Sequence, residues 1–146
     1  MNLIPEDTYK TIIDHSINIC VDIFVQWQNY TILVKRNQEP MKGVYWPIGG
    51  RVHKGETIRE AVIRKIQEEL CDLQYVDLDS ITAIGFYEDQ YDKNSFSENT
   101  HYHTLSIVHV ATLNSINHIR IDSTSETWTI TKAWPERLVI KPFEVF

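Results

Sequence analysis

Hydrophobic and polar positions along the chain outline its elements before any chemistry is considered. From Ile17 to Gln26 the run INICVDIFVQ is rich in β-branched and aromatic residues and predicts a strand. Gln28-Asn29 supplies a turn, TILVKR (31–36) returns as a second strand, and VYWPIG (44–49) is another short extended piece. Pro47 keeps that piece at an edge or an end, because it cannot donate to a ladder. Thr57 to Leu70 predicts the clearest helix: Thr57 and Glu60 have capping-box spacing, and Ile58, Val62, Ile66 and Leu70 recur at i+4. Residues 5–14 predict a short first helix with Tyr9, Ile12 and Ile13 facing inward. Residues 80–91, 102–113 and 126–131 read as strands, with a polar loop over 92–100, and Pro135 opens a short closing helix. Strands, one long helix, then more strands predict an α/β (α+β) fold with a mixed β-sheet sandwiched between helices. With no repeat, linker or low-complexity stretch, residues 1–146 are expected to form a single domain.

Composition narrows the class. At 146 residues, 42% hydrophobic and 23% charged, a chain buries enough surface to fold without staples. Cys20 and Cys71 lie in apolar stretches with no CxxC or Cys/His spacing, which argues against a disulfide scaffold or a zinc module. No apolar run reaches the length of a membrane span, and MNLIPEDTYK is not patterned as a signal peptide, so the expectation is a cytoplasmic protein with no membrane partner.

A net charge of −6 argues against nucleic acid as a partner, but the charge is uneven. Residues 35–65 hold eight of the fourteen basic side chains and only three acids, so this band is +5 and the remainder −11. Four of the five glycines (Gly43, Gly49, Gly50 and Gly55) fall in the same band. A basic, glycine-rich band in an acidic protein points to a local site for a small anion.

Within it, GRVHKGETIREAVIRKIQEEL (50–70) places Gly50, five residues, Glu56, seven residues, Arg64, then Glu68-Glu69. Adjacent carboxylates on a helix suit Mg²⁺ shared with phosphates, and the bare glycine backbone allows close approach. The spacing resembles the Nudix box, G-x5-E-x7-R-E-U-x-E-E-x-G-U with U aliphatic, and the chain is identified as a member of that family. The resemblance implies a Nudix fold and a divalent cation, Mg²⁺ or Mn²⁺, bound by Glu69, the Gly49 carbonyl and Glu68. It also implies a nucleoside diphosphate derivative as substrate. Glu56 and Arg64 read as a lock between loop and helix. The box departs from the pattern at Lys65 in place of the second residue of Arg-Glu, Cys71 in place of the late Gly, and Asp72 at the next aliphatic position. Lysine cannot bind Mg²⁺, so one metal is expected rather than three.

Outside the box, VDIFV around Asp22, the LVKRN run with Arg36, GVYWPIGGRVHKGET, and GFYEDQYDKNSFS…THY ending at Tyr102 resemble the GDP-mannose mannosyl hydrolase branch. There water attacks the sugar C1 and GDP departs. The resemblance implies that Arg36 contacts the diphosphate, that Arg51 and Arg64 support charge there, and that Tyr102 hydrogen-bonds a phosphate. Asp22 would face the sugar. Trp128 joins Tyr9, Trp27, Tyr45 and Trp46 as candidates for stacking the base. The branch's general-base histidine falls on Ser125, which leaves Glu126, Asp122 or His118 as substitutes. The implied partner is a small-molecule nucleotide sugar, and the implied assembly a homodimer. Attack at phosphorus, or binding without turnover, are the alternatives.

Overall fold

The computed structural model describes residues 3–92 and 101–143. A mixed sheet of eight strands runs through it. The strands are β1 (Asn18–Trp27), β2 (Tyr30–Arg36), β3 (Tyr45–Trp46), β4 (Ile48–Arg51), β5 (Val76–Tyr91), β6 (Tyr102–Leu113), β7 (Ser125–Thr131) and β8 (Lys141–Pro142). Helix α1 spans Glu6–His15 and helix α2 Ile58–Glu69. The expected α/β sheet with helices against it is the architecture found.

Strand β1 organises the sheet. One edge runs parallel to β6, from Asn18 opposite Thr104 to Gln26 opposite Thr112. The other edge is shared: Cys20 to Ile23 pair with β4, and Val25 to Trp27 pair with β2. Gln28 takes a positive φ of 53° in the tight connection between β1 and β2. With partners on both edges and cover on both faces, β1 reads as a nearly unbroken apolar run.

The period of two then separates two environments. Val21, Ile23 and Val25 face α2, where Ala61, Val62, Ile66 and Leu70 close the larger core. Phe24 points the other way, into a second cluster with Leu33, Trp46, Tyr87 and Val108. Asp22 lies on that second face, so an apolar strand carries a carboxylate without breaking the larger core.

Helix α2 starts as its sequence requires. The Thr57 hydroxyl accepts from the Glu60 N–H at 3.2 Å, and the Glu60 carboxylate accepts from the Thr57 N–H at 2.6 Å. Such a cap contributes about 1 kcal/mol. The chain leaves the helix through buried Cys71 without a positive φ, so the glycine of the motif is not needed there.

Two expectations are corrected. The third long strand starts at Val76, not at residue 80, because Val76 and Asp77 already pair with Leu113 and Thr112. No helix follows Pro135 among the described residues; residues 133–140 form turns that lead into β8. Tertiary anchors hold this stretch open. Trp134 stacks on Phe24 at 4.0 Å and donates to the Thr31 hydroxyl at 2.8 Å, and Arg137 makes a bidentate pair with Asp89. The polar loop expected over 92–100 lies, from residue 93 on, outside the described residues. No helix among the described residues is long and apolar enough to cross a membrane.

Candidate active site

The loop between β4 and α2 is tied to the helix by one arginine. Arg64 donates to both oxygens of Glu56, at 3.0 and 2.7 Å, to the Arg51 carbonyl at 3.0 Å, and to Glu68 at 3.2 Å. The His53 N–H adds a 2.7 Å bond to Glu56. The hydrogen-bonded guanidinium holds the Glu56 carboxyl at about 2, well below its ordinary range. Arg64 was expected both to lock the loop and to support charge at the diphosphate. Its place in the structure is the lock: its donors are turned onto Glu56, Glu68 and the loop backbone, and it does not line the cleft described below.

The next turn of α2 carries the expected metal ligands. Glu69 is buried; one carboxylate oxygen takes the Lys65 ammonium, and the other accepts from the Gly49 N–H at 3.2 Å. Glu68 is shared between Arg64 at 3.2 Å and Lys65 at 3.3 Å. Burial pulls the Lys65 ammonium down, but the Glu69 and Glu68 carboxylates outweigh it and hold it above its ordinary value. Burial raises the Glu69 carboxyl, Lys65 opposes this, and the Asp122 charge adds to it. Two cations thus face three carboxylates, and no cluster of three acidic, His or Cys side chains is arranged to hold a metal among the described residues. As arranged, the donor set does not fit the divalent cation that the family pattern implies.

A cleft of about 150 Å³ opens on the other side of the Gly49–Gly50 backbone. Its floor is formed by the second face of β1 and β6: Cys20, Asp22, Thr104 and Ser106, with Tyr102 at the entrance end of β6. Tyr9 and Ile13 of α1 form one wall, and Arg36 with residues 38–41 forms another. Asp22 is buried, accepts a short hydrogen bond from the Tyr87 hydroxyl, and is also bonded by Ser106. Burial raises its carboxyl, while those hydroxyls and the Arg36 charge lower it. Glycine is obligatory at 49 for a steric reason. A Cβ there would meet the Val21 carbonyl and lie 2.5 Å from an Asp22 carboxylate oxygen. Strand β4 at Gly49 and the buried acid are therefore in direct contact.

Four of the residues named from sequence, Asp22, Arg36, Gly49 and Tyr102, line this one cleft. Arg36 also donates to the Pro40 carbonyl at 2.7 Å, which fixes the 36–41 loop against β2. The Tyr102 hydroxyl approaches Cys20 Sγ at 4.0 Å, and Tyr9 hydrogen-bonds it. Arg51 sits just outside, its guanidinium 4.8 Å from the Tyr9 ring centre. Burial pushes the Cys20 thiol up to about 12 and Cys71 to about 11, so neither is a nucleophile at neutral pH.

Other expected residues lie elsewhere. Trp128 pairs with Val34 in the β2–β7 ladder and packs against the larger core, not the cleft. Ser125 stands opposite Arg36 in that ladder. Glu126 is held by Lys35 at 3.3 Å, His118 stacks on Tyr75 at 4.0 Å, and Asp122 accepts from Thr124. Of the stacking candidates, Tyr9 and Trp46 line the cleft. Sequence reasoning missed Tyr87 and Ser106, the partners of Asp22, and Glu39, a second cleft carboxylate. A signal for Ser106 was present: Tyr102, Thr104 and Ser106 alternate along β6 and form a polar stripe on one face of the strand.

Comparison with known proteins places the chain in a family. The NUDIX domain profile matches residues 18–142. The low-salt glycan biosynthesis protein Agl8 of Haloferax volcanii is 29% identical over 114 residues, 78% of this chain and 70% of that protein. An ADP-ribose pyrophosphatase of Methanocaldococcus jannaschii is 43% identical over 51 residues, 35% of this chain but only 30% of its own length. Among solved structures, a MutT/nudix family protein from Enterococcus faecalis superimposes with a TM-score of 0.63 at 11% identity. It covers 88% of this chain and 56% of its own, a likeness of fold alone. With the Glu56–Arg64 lock formed and the profile spanning most of the chain, the protein belongs to the NUDIX family.

Proposed function

We propose that this protein hydrolyses a nucleoside-diphosphate sugar, such as GDP-mannose, by breaking the bond between the sugar C1 and the diphosphate oxygen. The observation that carries the reading is the contact between the Gly49–Gly50 backbone of β4 and the buried Asp22 carboxylate within one cleft. A diphosphate on that backbone and on Arg36 puts the attached sugar over Asp22. In the reaction the C1–O bond breaks, the electron pair leaves with the diphosphate, and water forms the new bond to C1. Asp22, oriented by Tyr87 and Ser106, stabilises the positive charge that develops on the sugar. Arg36 and Tyr102 hold the leaving diphosphate. Glu39, on the cleft rim, accepts the proton from water in place of the histidine that Ser125 replaces.

The Haloferax relative's name, which ties it to glycan biosynthesis, agrees with a sugar-bearing substrate. A second reading, attack at phosphorus, is favoured by the resemblance of 51 residues to the ADP-ribose pyrophosphatase. The neutralisation of Glu68 and Glu69 by Lys65 and Arg64 speaks against it, because those acids are then not free to activate water beside a phosphate. Hydrolysis of GDP-mannose in ¹⁸O-water separates the two. The expected result is label in the free sugar with unlabelled GDP. Label in a phosphate product would establish attack at phosphorus.

A further inference from the structure

We propose that the Lys65 ammonium is the resident cation of this site, so that a diphosphate binds here without a divalent metal. The inference rests on the diphosphate reading above and deepens it. Lys65 projects from α2 between Glu68 and Glu69 and touches both carboxylates. Its tip packs beneath β4: a Cβ on Gly50 would lie 3.1 Å from Lys65 Cε and 3.3 Å from Nζ. The absent side chain of Gly50 is the space the lysine uses. The same glycine, with Gly49, lines the cleft on its other side, so the ammonium sits one backbone thickness from the place a diphosphate would occupy.

Charge accounting leads to the same conclusion. Glu56, Glu68 and Glu69 are countered by Arg64 and Lys65, which leaves a single negative charge on the cluster. A bare glutamate pair would repel a diphosphate and would need a metal to bridge them. Here the countering charge is covalently part of the helix. A divalent ion would have to displace a tethered ammonium whose side chain is only 13% exposed. Withdrawal of that ammonium would leave Glu69, 6% exposed, without its cation.

The test uses the full chain, inorganic pyrophosphate and Mn²⁺. Calorimetric titration with pyrophosphate is expected to give a Kd in EDTA within about threefold of that in Mg²⁺, a difference under ~1 kcal/mol. Electron paramagnetic resonance is expected to show Mn²⁺ bound to the wild type at least about tenfold more weakly than to Lys65→Glu, which supplies another oxygen ligand. Lys65→Met, with the cation gone and no ligand added, should lose pyrophosphate affinity about tenfold in EDTA and recover it with Mg²⁺. Thermal melts establish that the variants are folded; should either fail, the two wild-type titrations still decide. A tight stoichiometric Mn²⁺ site in the wild type, or pyrophosphate binding that vanishes in EDTA, overturns the inference and leaves the diphosphate reading standing. Absence of pyrophosphate binding with and without Mg²⁺ overturns both.

Discussion

The two sides of the Gly49–Gly50 backbone are built on opposite principles. On the helix side, Glu56, Arg64, Lys65, Glu68 and Glu69 lie within fourteen residues; the last four meet through helical spacing, and the loop folds Glu56 back onto Arg64. On the cleft side, Asp22 is served by Tyr87, 65 residues away, and by Ser106, brought alongside by the β1–β6 pairing. On the first side every carboxylate touches a cation, two cations serving three acids. The second leaves one buried carboxylate with hydroxyl donors and an arginine nearby. Matched charges stabilise a loop; a carboxylate that is oriented but not paired is available for chemistry.

The largest effect expected to sharpen this contrast is in catalysis. Asp22→Asn keeps an acceptor for Tyr87 and should cut kcat on GDP-mannose by about 100- to 1000-fold, the scale of a lost charge-stabilising group. Its Tm should stay within a few degrees of wild type. A kcat near the wild-type value would place the chemistry elsewhere. Arg64→Ala should do the reverse and cost about 3 kcal/mol of stability, because it strands the Glu56 carboxylate. Chemical denaturation would register this as a lower midpoint. An unchanged midpoint would remove the lock from the account.

The smallest effect is on acid stability. Glu56 ionises at about 2 in the fold against an ordinary value of 4.5. A depressed carboxyl contributes stability that is whole above its ordinary value and is lost as pH falls from about 4.5 toward 2. Wild-type Tm should therefore drop through that window. In Glu56→Gln the drop should be shallower, and an identical pH profile would show that other carboxylates control acid unfolding.

Particular residues show how much was legible in advance. Thr57 and Glu60 announced the helix start, and i+4 apolar spacing announced the face of α2; both are local and need no partner to be read. Asp22 drew notice because a carboxylate in an apolar strand requires an explanation. What satisfies it could not be read, because Tyr87 and Ser106 reach it only through the pairing of β1, β6 and β5. The closing helix expected after Pro135 failed for a related reason: Trp134 and Arg137 have distant partners that outweigh local propensity. Trp128 resembled a stacking platform until the β2–β7 ladder turned it to the core.

The sequence by itself determined the family, the sheet-and-helix class and the loop–helix lock, since a short local segment holds every residue of the motif. Only the tertiary structure decided where the basic, glycine-rich band faces, which carboxylate lies in the cleft with hydroxyl donors alone, and that Lys65 fills the space beneath Gly50. Those depend on which strands become neighbours and on which face of each is covered, relations that no run of adjacent residues contains.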